Sequence, residues 1–176
     1  MNYKKEKDML KPRQKTPDLN INLTNGMEWT LSKQDPEAFT MVVVYRGLHC
    51  PVCKKYLEEL QTKLSKFEDL GVNVVAMSSD TKEIALKTAE EWDIGDVPLG
   101  YEFSIEEARD WGLFISKGIN DEPETFIEPG LFVIKPNQEL YCASLQTMPF
   151  ARPGLDDIIN AIKFVLNKDY PARGEA

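Results

Sequence analysis

Apolar and polar residues alternate through Leu19-Asn20-Ile21-Asn22-Leu23 and more weakly from Met27 to Leu31, with Asn25-Gly26 between the two runs. Period-two alternation predicts strands that bury one face, and an Asn-Gly pair at that place predicts a hairpin. After a loop over Ser32 to Ala38, Phe39 to Tyr45 is apolar on both faces, the pattern of a central strand. The rhythm then changes. Tyr56, Leu57, Leu60, Leu64, Phe67 and Leu70 recur in steps of three and four, which predicts a helix from about Lys54 to Leu70 with Gly71 as its stop. Val72 to Met77 reads as a second buried strand. Asp80 with Glu83 and Ser104 with Glu107 both have capping-box spacing, so a helix is expected from Asp80 to about Trp92 and a shorter one ending at Gly112. Gly100 to Phe103 is a short extended piece between them. Phe114 to Glu128 is polar and irregular and is expected to form a surface excursion. Leu131 to Ile134 and Leu140 to Ser144 flank Pro136-Asn137-Gln138 as a hairpin, and Met148 to Pro153 is a loop. Leu155, Ile158, Ile159, Ile162, Val165 and Leu166 mark a closing helix.

Alternating β and α elements followed by an antiparallel pair predict an α/β fold, a mixed central sheet flanked by helices, with the N-terminal hairpin as an extension. The 176 residues suit one domain over 18–169, between a flexible arm at 1–17 and a C-terminal tail at 170–176. A formal charge of −8 disfavours binding to nucleic acid, and no basic cluster with interleaved aromatics offsets it. Met1 to Lys15 is rich in lysine and lacks an apolar core, so it reads as neither signal peptide nor membrane anchor, and no later run is long enough to span a bilayer. A cytoplasmic address is the resulting expectation. Three cysteines are too few for a secreted disulfide scaffold.

Two of those cysteines form Cys50-Pro51-Val52-Cys53 where the central strand gives way to the first helix. There the unpaired N–H groups and the positive end of the helix dipole stabilise a thiolate. Two intervening residues bring the second sulfur round one turn, and Pro51 suits a first turn whose N–H lacks a partner. Cys50 is the candidate nucleophile, with Arg46, His49, Lys54 and Lys55 nearby in sequence, and Cys53 the candidate resolving thiol.

The run Tyr45-Arg46-Gly47-Leu48-His49-Cys50-Pro51-Val52-Cys53, the segment Glu128-Pro129-Gly130-Leu131-Phe132-Val133-Ile134, the loop Gln146-Thr147-Met148-Pro149-Phe150-Ala151-Arg152-Pro153 and the tail Lys168 to Gly174 together resemble the thioredoxin superfamily, within it the AhpC/TSA peroxiredoxin-like branch. The resemblance implies a thioredoxin-like fold and a thiol-dependent oxidoreductase. It also implies a cis peptide bond before Pro129, facing the CxxC loop, and supporting roles for Arg46, His49 and Arg152. Its substrates would be a peroxide or a protein disulfide, and its reductant an external thiol from a thioredoxin or glutathione system. A homodimer is a further implication, and no cofactor is. The chain also departs from the branch: Val43 and Gly47 stand where its proline and threonine would be, Pro129 stands where its arginine would be, and Val44 replaces the buried acid of thioredoxins.

Two other readings compete for the same residues. Cys50, Cys53, Cys142 and His49 supply a Cys3His set suited to zinc, or the fold is a non-catalytic binding module that uses the Pro129 face. Cys142 is otherwise expected to be a buried small side chain in its strand, and Trp92 and Trp111 to be packing residues.

Overall fold

The computed structural model describes residues 9–176. Strands β1 (Asn20–Leu23) and β2 (Glu28–Thr30) make the expected hairpin, with Gly26 at φ +86° in its turn. They are followed by β3 (Phe39–Val44), α1 (Pro51–Glu68), β4 (Val72–Met77), α2 (Lys82–Glu91), β5 (Leu99–Tyr101) and α3 (Ile105–Asp110). Then come β6 (Ile115–Lys117), β7 (Thr125–Ile127), β8 (Gly130–Ile134), β9 (Leu140–Leu145) and α4 (Leu155–Lys168). Seven strands form one sheet in the order β2-β1-β5-β4-β3-β8-β9. Strands β3, β4 and β5 run parallel to one another, and β8 and β9 complete the sheet antiparallel.

Every residue of β3 is buried because both faces of the sheet are covered. Met41 and Val43 point into a core shared with Leu57, Leu60 and Phe67 of α1 and Ile159 and Ile162 of α4. Val42 and Val44 point the other way, toward Ala108, Trp111 and Phe132. Helix α1 buries Leu57, Leu60, Leu64 and Phe67, at roughly 1.5–3 kcal/mol each. A helix cap contributes only about 1 kcal/mol, so packing of this face sets the direction of α1, and the N-terminus of α1 is aimed as a consequence.

The structure corrects the sequence reading of the elements in two places. Helix α2 is capped by Thr81, whose hydroxyl accepts from the Ile84 N–H, and not by Asp80. Asp80 is drawn instead toward the loop before α1. Phe114 to Glu128 is not irregular throughout, since β6 and β7 pair as a second, two-stranded sheet. The arm over 1–17 lies partly outside the described residues, but from Arg13 to Thr16 it is docked. The N–H groups of Arg13 and Thr16 donate to the carbonyls of Leu140 and Gln138, and Lys15 bridges Glu139. The tail is held to the same segment, with the Arg13 Nε donating to the Ala172 carbonyl.

Candidate active site

Strand β3, inside the sheet, ends at Val44, and Tyr45 to His49 turn the chain into α1. Cys50 is the N-cap, in extended backbone conformation, and its sulfur accepts from the Cys53 N–H at 3.2 Å. A sulfur therefore occupies the place usually held by a capping hydroxyl, where an anion gains from both the free N–H and the dipole. Cys50 and Cys53 form a disulfide with their Cα atoms 5.2 Å apart. Cys53 is fully enclosed and Cys50 retains 3% exposure, while Pro51 and Val52 between them face solvent. The two sulfurs the spacing pointed to are thus brought together.

Arg46 reaches the site but its charge is occupied. Its Nε and Nη2 donate to the two carboxylate oxygens of Glu128 at 2.8 and 2.9 Å, and its guanidinium lies 5.2 Å from the centre of the Phe126 ring. The Ser116 hydroxyl donates to the same carboxylate at 2.6 Å. Strands β6 and β7 exist to make this possible: they bring Ser116 and Phe126 to the flank of the loop.

Arg152 behaves differently. Its Nη2 lies 3.0 Å from Cys53 Sγ, its Nη1 donates to the Pro149 carbonyl, and its guanidinium sits over the Tyr56 ring at 5.0 Å. The Tyr56 hydroxyl in turn donates to the Pro153 carbonyl, tying this loop to α1.

His49 packs edge-on against Phe126 with both ring nitrogens buried and without hydrogen-bond partners. Burial pulls its pKa below the ordinary histidine value, so the ring is neutral at pH 7. Of the basic side chains close to Cys50 in sequence, His49 is thus uncharged and Arg46 is paired. Asp80 is buried, accepts from the Leu48 N–H at 2.9 Å, and has its pKa raised by burial. It leaves no room at Gly47, where a Cβ would come within 2.5 Å of Asp80 Oδ1 and where φ is +140°.

The cis bond expected before Pro129 is absent, as no peptide bond among the described residues is cis. The extended ladder explains this. The Glu128 N–H donates to the Phe114 carbonyl and the Pro129 carbonyl accepts from the Gln146 N–H, so the chain runs straight from β7 into β8. Cys142 is exposed on the edge strand β9 rather than buried, and its apolar surroundings raise its thiol pKa to about 11. Among the described residues no cluster of three or more His, Cys, Asp or Glu side chains is placed to hold a metal ion, which leaves the Cys3His set without support.

Sequence reasoning missed Glu128, Ser116, Tyr56 and Asp80. Glu128 carried a signal: a carboxylate directly after Phe126-Ile127 and before a buried strand is tolerated only if paired. Asp80 carried a misleading one, since its spacing to Glu83 imitates a cap.

The AhpC/TSA family matches residues 12–142. Alkyl hydroperoxide reductase C of Staphylococcus epidermidis is 26% identical over 127 residues, which are 72% of this chain and 65% of that protein. The match thus spans just under two thirds of that relative. Among solved structures, peroxidoxin BcpB from Mycobacterium tuberculosis superimposes with a TM-score of 0.72 at 17% identity, covering 89% of this chain and 98% of the other. AhpC from Enterococcus faecalis gives 0.73 at 17% identity, covering 94% and 99%. These likenesses agree with the mixed α/β architecture expected from the element order and with the thioredoxin-like fold that the resemblance implied. With three quarters of its length matched by one family, the chain belongs to the AhpC/TSA family.

Proposed function

We propose that the protein is a thiol-dependent, peroxiredoxin-like oxidoreductase that cycles Cys50 and Cys53 between dithiol and disulfide. The observation that carries this reading is the capped sulfur of Cys50, bonded to Cys53 one helical turn on. Cys50 attacks the oxidant because it keeps the residual exposure that Cys53 lacks. Cys53 then closes the internal disulfide. An external thiol of thioredoxin or glutathione type returns the pair to the reduced state, and this chemistry needs no cofactor. Pro129, Arg46 and His49 shape the loop: Arg46 through Glu128, His49 through Phe126, and Pro129 by carrying the backbone past them.

Within this class a disulfide substrate is favoured over a peroxide. Asp80 fills the space at Gly47 with a carboxylate, and Arg46 is engaged by Glu128. Neither a hydroxyl at position 47 nor a free guanidinium from Arg46 is therefore offered beside Cys50 to polarise an O–O bond, and the guanidinium that does reach the sulfurs, Arg152, contacts Cys53. A cytoplasmic address and self-association into a homodimer are parts of the same reading. No helix among the described residues is long and apolar enough to cross a membrane.

Stopped-flow oxidation of the reduced protein by hydrogen peroxide, by an alkyl hydroperoxide and by a small disulfide tests the reading, with Cys50→Ser as control. Rapid reaction with the disulfide is expected, abolished in the variant. Faster reaction with either peroxide reassigns the substrate. Reaction with none of the three removes the enzyme reading and leaves a binding module.

A further inference from the structure

We propose that Arg152 is a catalytic residue of the dithiol cycle whose guanidinium holds Cys53 as a thiolate, both when Cys53 attacks and when it departs. The proposal rests on the oxidoreductase reading above and gives the second sulfur an activating group of its own.

Cys53 needs one. Its side chain is fully enclosed, and burial without compensation favours the neutral thiol. The Cys50 sulfur has a backbone N–H and the end of a helix; the Cys53 sulfur, inside the first turn, has only the second. Among the described residues the hydrogen-bond donor that reaches it is Arg152 Nη2, at 3.0 Å. An opposite charge at that range lowers a pKa by about 1–3 units and so opposes the effect of burial; the guanidinium adds to the helix N-terminus, which acts in the same direction.

The state of Arg152 in the disulfide form points the same way. No carboxylate of the described residues forms an ion pair with it, and its Nε is buried with no hydrogen-bond partner. Arg46, close by, is by contrast saturated by Glu128. A half-buried guanidinium whose protein contacts are a disulfide sulfur, one carbonyl and an aromatic ring has no anion beside it in this state. The dithiol state supplies that anion at Cys53. Tyr56 keeps the guanidinium on line, stacking beneath it and fixing the Pro153 carbonyl.

In the forward step the Cys53 thiolate attacks Cys50 Sγ of a mixed disulfide with the substrate. The Cys50–Cys53 bond forms, the bond from Cys50 to the substrate sulfur breaks, and that sulfur leaves with the electron pair and is protonated by water. In reduction, the thiolate of the external reductant attacks Cys50 Sγ, and Cys53 leaves with the pair toward Arg152. Because the cation favours the reduced form, it also makes the disulfide the more easily reduced.

The test isolates one thiol. In a Cys50→Ser, Cys142→Ala background, Cys53 is the only cysteine, and its thiolate is titrated by ultraviolet absorbance with Arg152 intact, Arg152→Lys and Arg152→Gln. With Arg152 intact, Cys53 is expected to titrate at least one unit below the roughly 8.5 of free cysteine. Arg152→Gln is expected to cut the thiolate fraction at pH 7 about tenfold, with Arg152→Lys between the two. In the otherwise native chain, Arg152→Gln is expected to shift the equilibrium with glutathione toward the protein disulfide by a similar factor. A Cys53 pKa at or above that of free cysteine with Arg152 present overturns the proposal, whether or not Arg152→Gln folds. An unchanged pKa in a folded Arg152→Gln overturns it equally. The titration requires no turnover, so a protein inert toward peroxides and disulfides would fail the oxidoreductase reading without touching this result.

Discussion

Removing one partner of the Arg46–Glu128 pair should reveal how strongly the flank of the active loop depends on it. The Glu128 side chain is 3% exposed and that of Arg46 is 15% exposed. Breaking a buried pair by deleting one member costs about 3–5 kcal/mol, because the other charge is left uncompensated. The two deletions are not equivalent. In Glu128→Ala the stranded guanidinium keeps the Phe126 face and some water, which places the loss near 3 kcal/mol. In Arg46→Ala the stranded carboxylate keeps only the Ser116 hydroxyl, which places the loss nearer 5 kcal/mol. For a chain of this length each kcal/mol lowers Tm by about 2–4 °C, so the variants should melt roughly 6–12 °C and 10–20 °C below the parent. Replacing both residues by methionine removes both charges together and should recover most of the loss. Urea unfolding followed by tryptophan fluorescence measures all four proteins. Single variants within 1 kcal/mol of the parent, or a double variant as unstable as the two singles added, would refute the reasoning.

Two further outcomes follow from the same loop. Gly47→Ala forces a left-handed backbone on a residue with a Cβ and drives that carbon into Asp80; a loss of about 2 kcal/mol or more is expected from the urea midpoint, and a variant as stable as the parent contradicts the packing described. His49 is the only histidine, and its folded pKa lies below its unfolded value of about 6.5. Below that value the unfolded chain takes up a proton that the folded one resists. Stability from this group is therefore full above about pH 7 and lost as pH falls through 6.5 toward the folded pKa. His49→Gln should flatten the fall in urea midpoint between pH 7.5 and about pH 5.5; an unchanged slope would show that another group sets it. Asp80, with its pKa raised, acts in the opposite sense. It favours the folded state more as acid protonates it, so the His49 contribution is best read at the upper end of the range.

Elements whose pattern depends on one continuous face were legible in the chain. Phe39 to Val44 is buried throughout and Val72 to Met77 at every position but Asn73, as their largely apolar runs imply, and the α1 stripe is buried at Leu57, Leu60, Leu64 and Phe67, with Tyr56 and Leu70 half-buried at its ends. The Ser104–Glu107 capping box is present with both of its hydrogen bonds. Caps proved legible only where no distant group competed. At Ser104 none does. At Asp80 the Leu48 N–H is available across 32 positions of sequence, and Thr81 can serve as the cap in its place. Strands β6 and β7 escaped notice because each is three residues long, too short for alternation to register, and because they are held by each other and by Glu128 rather than by a periodic face.

The candidate site divides along the same line. Cys50 and Cys53 were legible because both the helix start and the disulfide are local, set by three residues of chain. What surrounds them is not local. Glu128 is 82 positions from Arg46, and Arg152 is 99 from Cys53, so the sequence shows Arg46, His49, Lys54 and Lys55 near a cysteine pair without showing which remain charged toward it. Folding sorts them: Glu128 takes Arg46, burial neutralises His49, and Arg152, remote in sequence, is the cation that faces a sulfur. A count of nearby charges therefore overstates the field at Cys50 and misses it at Cys53. Glu128→Gln tests this sorting directly, because it frees Arg46 without adding a charge. If pairing is what silences Arg46, the alkylation rate of reduced Cys50 at pH 7 should rise in that variant by a few fold, as a modestly lowered thiol pKa requires. An unchanged rate in the folded protein would show that Arg46 is too distant to act on Cys50 even when unpaired.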